Sequence, residues 1–456
     1  MTDSPRSTTP DAVPLPDYVP GAGTALTDAE RWPALSAPGT ARLHELRNHP
    51  HAPEWVHACG DRLTPADLQE LRGWSPQRPS PGWVQELTQR LQRTVPHYRR
   101  RPVSAFAQVE PVDRAALASR VADFVPDDVA LDRLFQGTSS GSTGSALVVP
   151  LHPVSTAAEL MLLRFLLAEQ GVDWTPDPER LGLLAVVDQQ HAYTYASVMS
   201  ALGEAGMARV SLHPGAWRTA GDRETFLQNV APQVITGPAP ALLTLARLPL
   251  DLAPLAVVSG AVHLTPAARA ELAARFGVPV LDLYALKETG VIAVSADGGP
   301  RRVVPGLLHV ETLRPDGTAA PDGARGEVTV TVAENPLLPL LRYRTGDHAR
   351  LERCADGVVL LHELEGRAPV RFRRSDGTWV HSVELTQLLQ HHGATGWQVH
   401  QDESGAVTVR LLGGDAVAVQ RNLQTLLDVA LAVRHADALG EGKPRRFSSS
   451  LHGSGG

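Results

Sequence analysis

Apolar residues recur at helical spacing in the segment WVQELTQRLQRTV, residues 83–95. Because Val84, Leu87, Leu91 and Val95 are three or four residues apart, they share one face of a helix. The sequence therefore predicts an amphipathic helix here, with that face packed on a core.

Residues 180–310 alternate short apolar runs with helical patterns. The runs at 181–188, 252–260 and 278–286 have the length and composition of buried strands. Before the last run, Thr265 suits a helix cap, Pro266 a first helical position and Gly277 a helix end. A strand, helix and strand at this spacing predict a βαβ unit, and such sheets bind ligands at the carboxyl ends of their strands.

The predicted organisation is an α/β chain in four parts. Residues 1–24 are rich in Pro, Ser and Thr and predict a disordered tail, and residues 25–78 predict a polar, helical extension. Residues 79–365 predict a large domain of mostly parallel sheets and helices. Residues 366–456 predict a small α+β domain.

Composition restricts the classes of partner. Apolar residues make up 43% of the 456, charged residues 20%, and the formal net charge is −7. An acidic chain argues against nucleic acid or an anionic membrane surface as the main partner. Two distant cysteines, Cys59 and Cys354, and a first segment without an apolar core indicate a cytoplasmic protein. The apolar stretch at 159–170 is interrupted by Arg164 and is too short to span a bilayer.

The stretch GTSSGSTGSALVVP, residues 137–150, combines small hydroxyl residues and glycines with an apolar run. It allows three interpretations: a linker, a nucleophile elbow with Ser139 as the nucleophile, or a loop that holds phosphates. An elbow needs a helix directly after the serine, whereas the following residues favour a strand. Backbone N–H groups and hydroxyls suit a phosphate loop, and the apolar flanks weaken the linker interpretation.

Five stretches in order resemble the adenylate-forming superfamily of acyl-CoA synthetases and adenylation domains. They are TSSGSTG at 138–144, SGA at 259–261, YALKET at 284–289, RYRTGD at 342–347 and GKPRR at 442–446. Residues 91–117 are similar to the phenylacetate-CoA ligase branch, and Gly366–Arg367 lies where the family's hinge begins. The resemblance implies a large domain that binds ATP and a carboxylic acid, and a small mobile C-terminal lid domain.

The resemblance also implies roles for the nucleotide-binding residues. The β- and γ-phosphates would be held by Thr138, Ser139, Ser140, Gly141, Ser142, Thr143 and Gly144. Adenine would lie along Ser259, Gly260 and Ala261 and against Tyr284, with Thr289 completing that motif.

Charged residues would act on the ribose, the metal and the reacting groups. By the same resemblance, Asp347 would accept hydrogen bonds from the ribose hydroxyls and Glu288 would hold Mg²⁺. Arg367 would contact the ribose or a phosphate. Lys443 would bridge the carboxylate and the α-phosphate, and Lys287 would lie where the family has a hydroxyl residue and would supply charge.

The acid-binding residues are placed less firmly. His191, Tyr193 and Tyr195 occupy the position of the family's aromatic substrate segment, and ordinary packing at the sheet edge is the alternative. The chain also departs from the family pattern at Ser145, Lys287 and Pro369, and in its loose match to the loop after the hinge. The last two departures concern transfer of the acyl group more than adenylation.

The implied reaction joins a carboxylic acid, with an aromatic acid expected, to AMP with release of pyrophosphate. The acceptor of the acyl group stays open between CoA, a carrier-protein thiol and an amine. A weakened nucleotide-binding protein and a serine hydrolase are competing interpretations of the chain, and a homodimer is an open oligomeric state. A histidine-rich stretch with His44, His49, His51 and His57 favours surface histidines over a metal site, because its spacing matches no regular ligand pair.

Overall fold

A computed structural model describes residues 26–139, 147–188, 192, 194–366, 370–437, 439 and 446–451. The predicted tail at 1–24 lies outside these residues. The helices within them are α1 (Asp28–Arg31), α2 (Ala37–Arg47), α3 (Pro65–Arg72), α4 (Trp83–Thr94), α5 (Pro96–Arg99), α6 (Arg114–Ser119), α7 (Pro153–Ala168), α8 (Asp222–Val230), α9 (Ala239–Arg247), α10 (Pro266–Phe276), α11 (Ser382–His391) and α12 (Ala416–Leu427).

The strands within the same residues belong to four sheets. In chain order they are β1 (Phe135–Ser139), β2 (Leu147–Leu151), β3 (Leu183–Val187), β4 (Tyr195–Met199), β5 (Ala205–Ser211), β6 (Val234–Gly237), β7 (Ala256–Ser259), β8 (Val280–Leu286), β9 (Gly290–Ser295), β10 (Arg301–Val303), β11 (Leu308–Leu313), β12 (Arg325–Val332), β13 (Leu340–Arg353), β14 (Val359–Glu365), β15 (Arg371–Arg373), β16 (Trp379–His381), β17 (Gly396–Gln401), β18 (Val407–Leu412), β19 (Leu431–His435) and β20 (Phe447–Ser449).

Twelve of the described strands form one large sheet in the order β11-β12-β13-β14-β10-β9-β8-β7-β6-β3-β5-β4. The strands β5, β3, β6, β7 and β8 are parallel neighbours, whereas β4 and the strands from β9 to β14 pair antiparallel. The α/β prediction is confirmed, but the parallel part is narrower than expected. Tight turns with glycines at positive φ, such as Gly317 and Gly357, return the chain directly to the neighbouring strand on the antiparallel side.

The predicted βαβ unit is β7, α10 and β8. Thr265 accepts a hydrogen bond from the Ala268 N–H at the start of the helix, and Gly277 ends it in the left-handed region at φ 68°. The two strands are parallel neighbours, with Val257 opposite Val280. Local spacing and capping residues were therefore sufficient to predict this part of the fold.

The predicted amphipathic helix is α4, which buries Leu87 and Leu91. Val95 follows it and is fully buried in the same core as Tyr98 and Tyr343. Burial of a side chain of this size contributes about 1.5–3 kcal/mol. This contact attaches α4 to β13, one of the strands that carry the candidate site.

We name residues 26–78 the edge cover, because part of this segment, between Trp32 and Cys59, lies along the free side of β4. The Trp32 indole N–H donates to the Val198 carbonyl at 3.2 Å, and the His57 N–H donates to the Thr194 carbonyl at 3.1 Å. The Cys59 thiol donates to the intervening Ala196 carbonyl at 3.7 Å. The segment was expected to be helical, but residues 48–64 are not helical, because this part follows the strand edge.

The described residues after 370 form a small sheet of the order β19-β18-β17-β20, next to α11 and α12. Trp397, Phe372 and Leu423 lie in its separate apolar core. A small α+β unit at this end agrees with the predicted fold class. Across the part of the chain that the structure describes, no helix combines the length and apolar character needed to cross a membrane.

Candidate functional site

Two motif segments meet where β8 approaches β13. The Tyr284 hydroxyl on β8 donates to Asp347 Oδ2 on β13 at 2.8 Å. Burial raises the pKa of Tyr284 well above its usual value, and the nearby Asp347 carboxylate adds to that effect. Tyr284 therefore stays a neutral hydrogen-bond donor that orients the carboxylate.

A second contact joins the same two segments. The Tyr343 hydroxyl donates to Glu288 Oε1 at 2.6 Å, and Arg114 lies 3.4 Å from the same oxygen. Burial raises the pKa of Tyr343, and the negative charge of Glu288 acts in the same direction. Both described partners of Glu288 contact Oε1.

The turn before Asp347 is fixed by its own polar groups. Gly346 has φ 77°, and its N–H donates to Glu327 Oε1 at 3.1 Å. The Thr345 hydroxyl donates to the Val328 carbonyl at 2.8 Å and accepts from the Asp347 N–H at 3.1 Å. A glycine permits the left-handed backbone, so Asp347 is presented towards β8.

The segment after β7 presents backbone more than side chains. The Gly260 N–H donates to the Gly237 carbonyl at 3.2 Å, and Ala261 is exposed with φ 64°. Ser259 is fully buried, so its side chain does not face solvent as Ala261 does. Thr289 is also buried, and its hydroxyl donates to the Gly290 carbonyl at 3.3 Å. Contact of Ser259 and Thr289 with the nucleotide stays a prediction.

Lys287 is exposed and extends over β1, the strand that enters the phosphate-loop sequence. A methyl group on Gly137 would overlap the Lys287 side chain, and its carbon would lie 3.3 Å from Lys287 Nζ. The lack of a side chain at Gly137 leaves room for the end of the lysine side chain here. This arrangement places an ammonium group beside the segment expected to hold phosphates.

Residues of the phosphate loop itself are only partly described. Thr138 and Ser139 pair with Val148 and Leu147 in the β1–β2 hairpin, and nothing is described of their side chains. The strand predicted after the loop is confirmed as β2. The remaining predicted loop residues lie outside the described residues: Ser140, Gly141, Ser142, Thr143 and Gly144. His191, Tyr193, Arg367 and Lys443 also lie outside them.

Arg446, three positions after Lys443 in the sequence, lies near enough to Asp347 to interact with its charge. Its guanidinium lies 5.5 Å from the centre of the Trp397 ring. Burial lowers the pKa of Arg446, while the carboxylates Glu365 and Asp347 act in the opposite direction. A methyl group on Gly366 would lie 3.3 Å from Asp347 Oδ1. The start of the predicted hinge and the end of the chain thus both approach Asp347.

Tyr195 is not brought to these residues. It begins β4, where its ring makes an edge contact with His57 of the edge cover at 6.1 Å. β4 is the last strand of the sheet, five strands from β8 in the strand order. Tyr195 thus packs at the sheet edge, as in the alternative given by the sequence, and contact with the acid stays a prediction.

Sequence reasoning missed several groups at this site. Tyr343 and Arg446 were inside quoted motifs but had no role assigned. Arg114 on α6 is inside the stretch 91–117 but also had no role assigned, and Glu159 on α7 comes from a helix without a motif. His263 is partly exposed two residues after Ala261, and burial, with Arg446 and Arg301, lowers its pKa well below the usual value.

Comparison with solved structures identifies the architecture. A 2-hydroxyisobutyryl-CoA ligase in the postadenylation state superimposes with TM-scores of 0.57 and 0.58 in two complexes, at 16% identity, over 80% of this chain and 88% of that one. The chain has the fold of an adenylate-forming CoA ligase. The same ligase in an open conformation with CoA gives a TM-score of 0.50.

Sequence comparison gives a shorter match to the expected branch. The phenylacetate-coenzyme A ligase of Escherichia coli is 37% identical over 100 residues, and that of Aromatoleum evansii is 35% identical over 100 residues. These matches cover 21% of this chain, and they span about a fifth of the relatives' own length, 23% and 22%. No protein-family model matches the chain. The resemblance to CoA ligases that go through an acyl-adenylate is thus confirmed.

Proposed function

We propose that the protein is an AMP-forming ligase that activates a carboxylic acid with ATP and transfers the acyl group to CoA. The observation that carries the proposal is the double contact between β8 and β13, Tyr284 with Asp347 and Tyr343 with Glu288. It joins the segments YALKET and RYRTGD, to which the resemblance assigns nucleotide binding. The fold and the partial match to phenylacetate-CoA ligases support the same reaction.

The first half-reaction forms an acyl-adenylate. An oxygen of the acid attacks the α-phosphorus of ATP, and the bond to pyrophosphate breaks. Asp347 accepts hydrogen bonds from the ribose hydroxyls, while Ala261 and the buried Tyr284 border the base. A magnesium ion bound with ATP would neutralise phosphate charge, and Glu288 is the residue that would hold it.

Two lysines supply the mobile positive charge of this reaction. The chain has 42 basic residues, and Lys287 and Lys443 are its only lysines. Because all the other basic residues are arginines, we infer that these two positions need the compact ammonium group and flexible side chain of lysine. We assign Lys287, beside β1, to the phosphates, and Lys443 to the attacking carboxylate and the α-phosphate.

The second half-reaction transfers the acyl group. The sulfur of CoA attacks the acyl carbon, AMP leaves, and the thiol proton is released. The partial relatives favour an aromatic acid as the substrate and CoA as the acceptor. A carrier-protein thiol or an amine is the other acceptor class, and it would share the first half-reaction.

Pyrophosphate exchange into ATP tests the proposal. A panel of aryl and fatty acids is assayed with and without CoA, with Lys443→Ala as the test variant and Asp356→Asn, at an exposed turn, as the control. We expect acid-dependent exchange that the lysine variant loses and the control keeps, and a thioester when CoA is added. Protein that binds ATP but exchanges with no acid would contradict the proposal and indicate a nucleotide-binding protein without ligase activity.

A further inference from the structure

The side chain of Lys287 crosses strand β1 at Gly137. A methyl carbon on Gly137 would lie 2.3 Å from Lys287 Cε, closer than carbon atoms that are not bonded to each other can approach. The same methyl carbon would lie 3.0 Å from Leu151 Cδ1. The missing side chain thus leaves a space between Gly137 and Leu151, which we name the lysine groove, and the end of Lys287 occupies it.

The lysine groove is close to the sequence expected to hold phosphates. Gly137 is buried and pairs with Val149 in the β1–β2 hairpin. Ser139, the last described residue of β1, follows it by two positions, or roughly 7 Å. The carbon chain of Lys287 lies against this strand while the side chain as a whole stays exposed, so its ammonium is open to an anionic ligand.

Confinement in the groove matters because lysine is flexible. A lysine side chain rotates about four bonds, and a ligand that immobilises a free lysine works against the loss of that freedom. A side chain that the protein already confines loses less when the ligand binds. The groove therefore prepares the ammonium of Lys287 for the phosphates.

A lysine outside the groove would have another charged partner. A methyl carbon on Gly290 would lie 2.9 Å from Glu159 Oε1, so this carboxylate is beside the backbone only three residues after Lys287. The charges of Glu159 and Lys287 act on each other. A side chain displaced from Gly137 would therefore be drawn towards Glu159 and away from β1.

We propose that Gly137 is a positioning residue, whose missing side chain holds the Lys287 ammonium beside β1 for the phosphates of ATP. This inference rests on the proposed function, which assigns Lys287 to the phosphates. Gly137 has the backbone of a strand, which alanine also adopts. Because the methyl group of Gly137→Ala overlaps the end of a flexible side chain, the lysine should move and the strand should stay in place.

A double-mutant cycle tests this coupling. Lys287→Met keeps an unbranched side chain and removes the charge, and Gly137→Ala adds the methyl group. Calorimetry measures the binding of α,β-methylene ATP, which does not react, and of adenosine, which has no phosphate. We expect the ATP analogue to bind roughly tenfold or more weakly to Lys287→Met, and roughly threefold or more weakly to Gly137→Ala, with adenosine unchanged. In the double variant, Gly137→Ala should add no further loss.

Gly73→Ala is the matched control. Gly73 has φ −98°, and a methyl group there would have no atom within 4 Å. It should bind both ligands like the wild type. In pyrophosphate exchange, Gly137→Ala should raise the KM for ATP and leave the KM for the acid unchanged, whereas Gly73→Ala should change neither.

Nuclear magnetic resonance observes the lysine directly. Lys287 and Lys443 are the only lysines of the chain, so isotope-labelled lysine gives two ε-carbon signals, which Lys287→Met assigns. Adding α,β-methylene ATP should shift the Lys287 signal in the wild type, and should shift it less in Gly137→Ala.

The outcomes separate this role from the ligase proposal. If Gly137→Ala weakens the ATP analogue equally with and without the lysine charge, the substitution acts on the strand and the positioning role is overturned. A Lys287 signal that does not respond to the analogue in the wild type would overturn it as well, even if Gly137→Ala unfolds. A responding signal and a non-additive cycle in a protein that exchanges with no acid would support the role of Gly137 and contradict the ligase alone.

Discussion

The large sheet uses polar contacts differently at its two sides. Around β8 and β13, side chains contact other side chains, as in Tyr284 with Asp347, and Asp347 keeps contact with solvent. Along β4, the edge cover donates to strand carbonyls, as in Trp32 with Val198, which is deeply buried. The first arrangement orients charged side chains of the motif segments, whereas the second pairs the backbone of an edge strand and serves stability.

The largest expected effect separates activity from stability at Asp347. Asp347→Ala should lower kcat/KM for ATP in pyrophosphate exchange by roughly 100-fold or more, because two hydrogen bonds to a charged group contribute about 1.5–3 kcal/mol each. The free energy of unfolding should fall by only about 1–3 kcal/mol, because the buried Tyr284 hydroxyl loses its acceptor. Steady-state kinetics measure the change in kcat/KM, and urea unfolding measures the change in the free energy of unfolding.

Tyr284→Phe is the matched control for that substitution. It keeps the ring and the carboxylate but removes the hydroxyl that orients Asp347. We expect a smaller loss in kcat/KM than in Asp347→Ala. Equal KM values for ATP in wild type and Asp347→Ala would show that Asp347 is not a ribose ligand.

The second expected effect is at the sheet edge, where a substitution should lower stability and leave activity unchanged. Trp32→Ala should lower the free energy of unfolding by about 3–5 kcal/mol, because it empties a buried site and removes the donor to Val198. Exchange activity per folded molecule should be unchanged. Denaturant unfolding followed by circular dichroism measures the change in the free energy of unfolding.

Val56→Ala is the control for the edge, because Val56 belongs to the edge cover but is 58% exposed. It should alter stability by less than about 0.5 kcal/mol. A loss of specific activity in Trp32→Ala as large as that in Asp347→Ala would mean that the edge cover contributes to catalysis, and the comparison would fail.

The smallest expected effect is a pH dependence in the edge cover. Burial acts to raise the pKa of Asp67, but hydrogen bonds from Arg133 and Thr64 outweigh it and leave the pKa below its usual value. A lowered folded-state pKa stabilises above the unfolded pKa, and this contribution is lost as the pH falls through the folded value. Asp67→Asn should therefore cost about 1 kcal/mol near neutrality.

The difference between wild type and Asp67→Asn should shrink from about pH 5 towards about pH 2. Unfolding in urea at a series of pH values measures it. Asp316→Asn, in an exposed turn, is a comparison with an aspartate whose pKa is lowered mainly by local hydrogen bonds from Thr318. A difference for Asp67→Asn that is constant with pH would show that Arg133 does not act through charge.

The sequence predicted what depends on local spacing. Helix α10 and strand β8 follow from apolar period and capping, and the resemblance implied that Asp347 and Tyr284 belong to one nucleotide site but not that they contact each other. Glu159 and Arg114 reach the cleft through the packing of helices, which no residue spacing records. The extended part of the edge cover was missed for a similar reason, because its conformation depends on β4, more than a hundred residues later.

The order of synthesis gives the edge cover a further consequence. Translation delivers residues 26–78 before residues 194–199, so the cover is outside the ribosome when β4 emerges. An uncovered strand edge pairs readily with neighbouring chains. In this protein the edge of β4 therefore pairs first with the edge cover of its own chain. Neighbouring ribosomes on one messenger RNA then have little opportunity to join their nascent chains through β4.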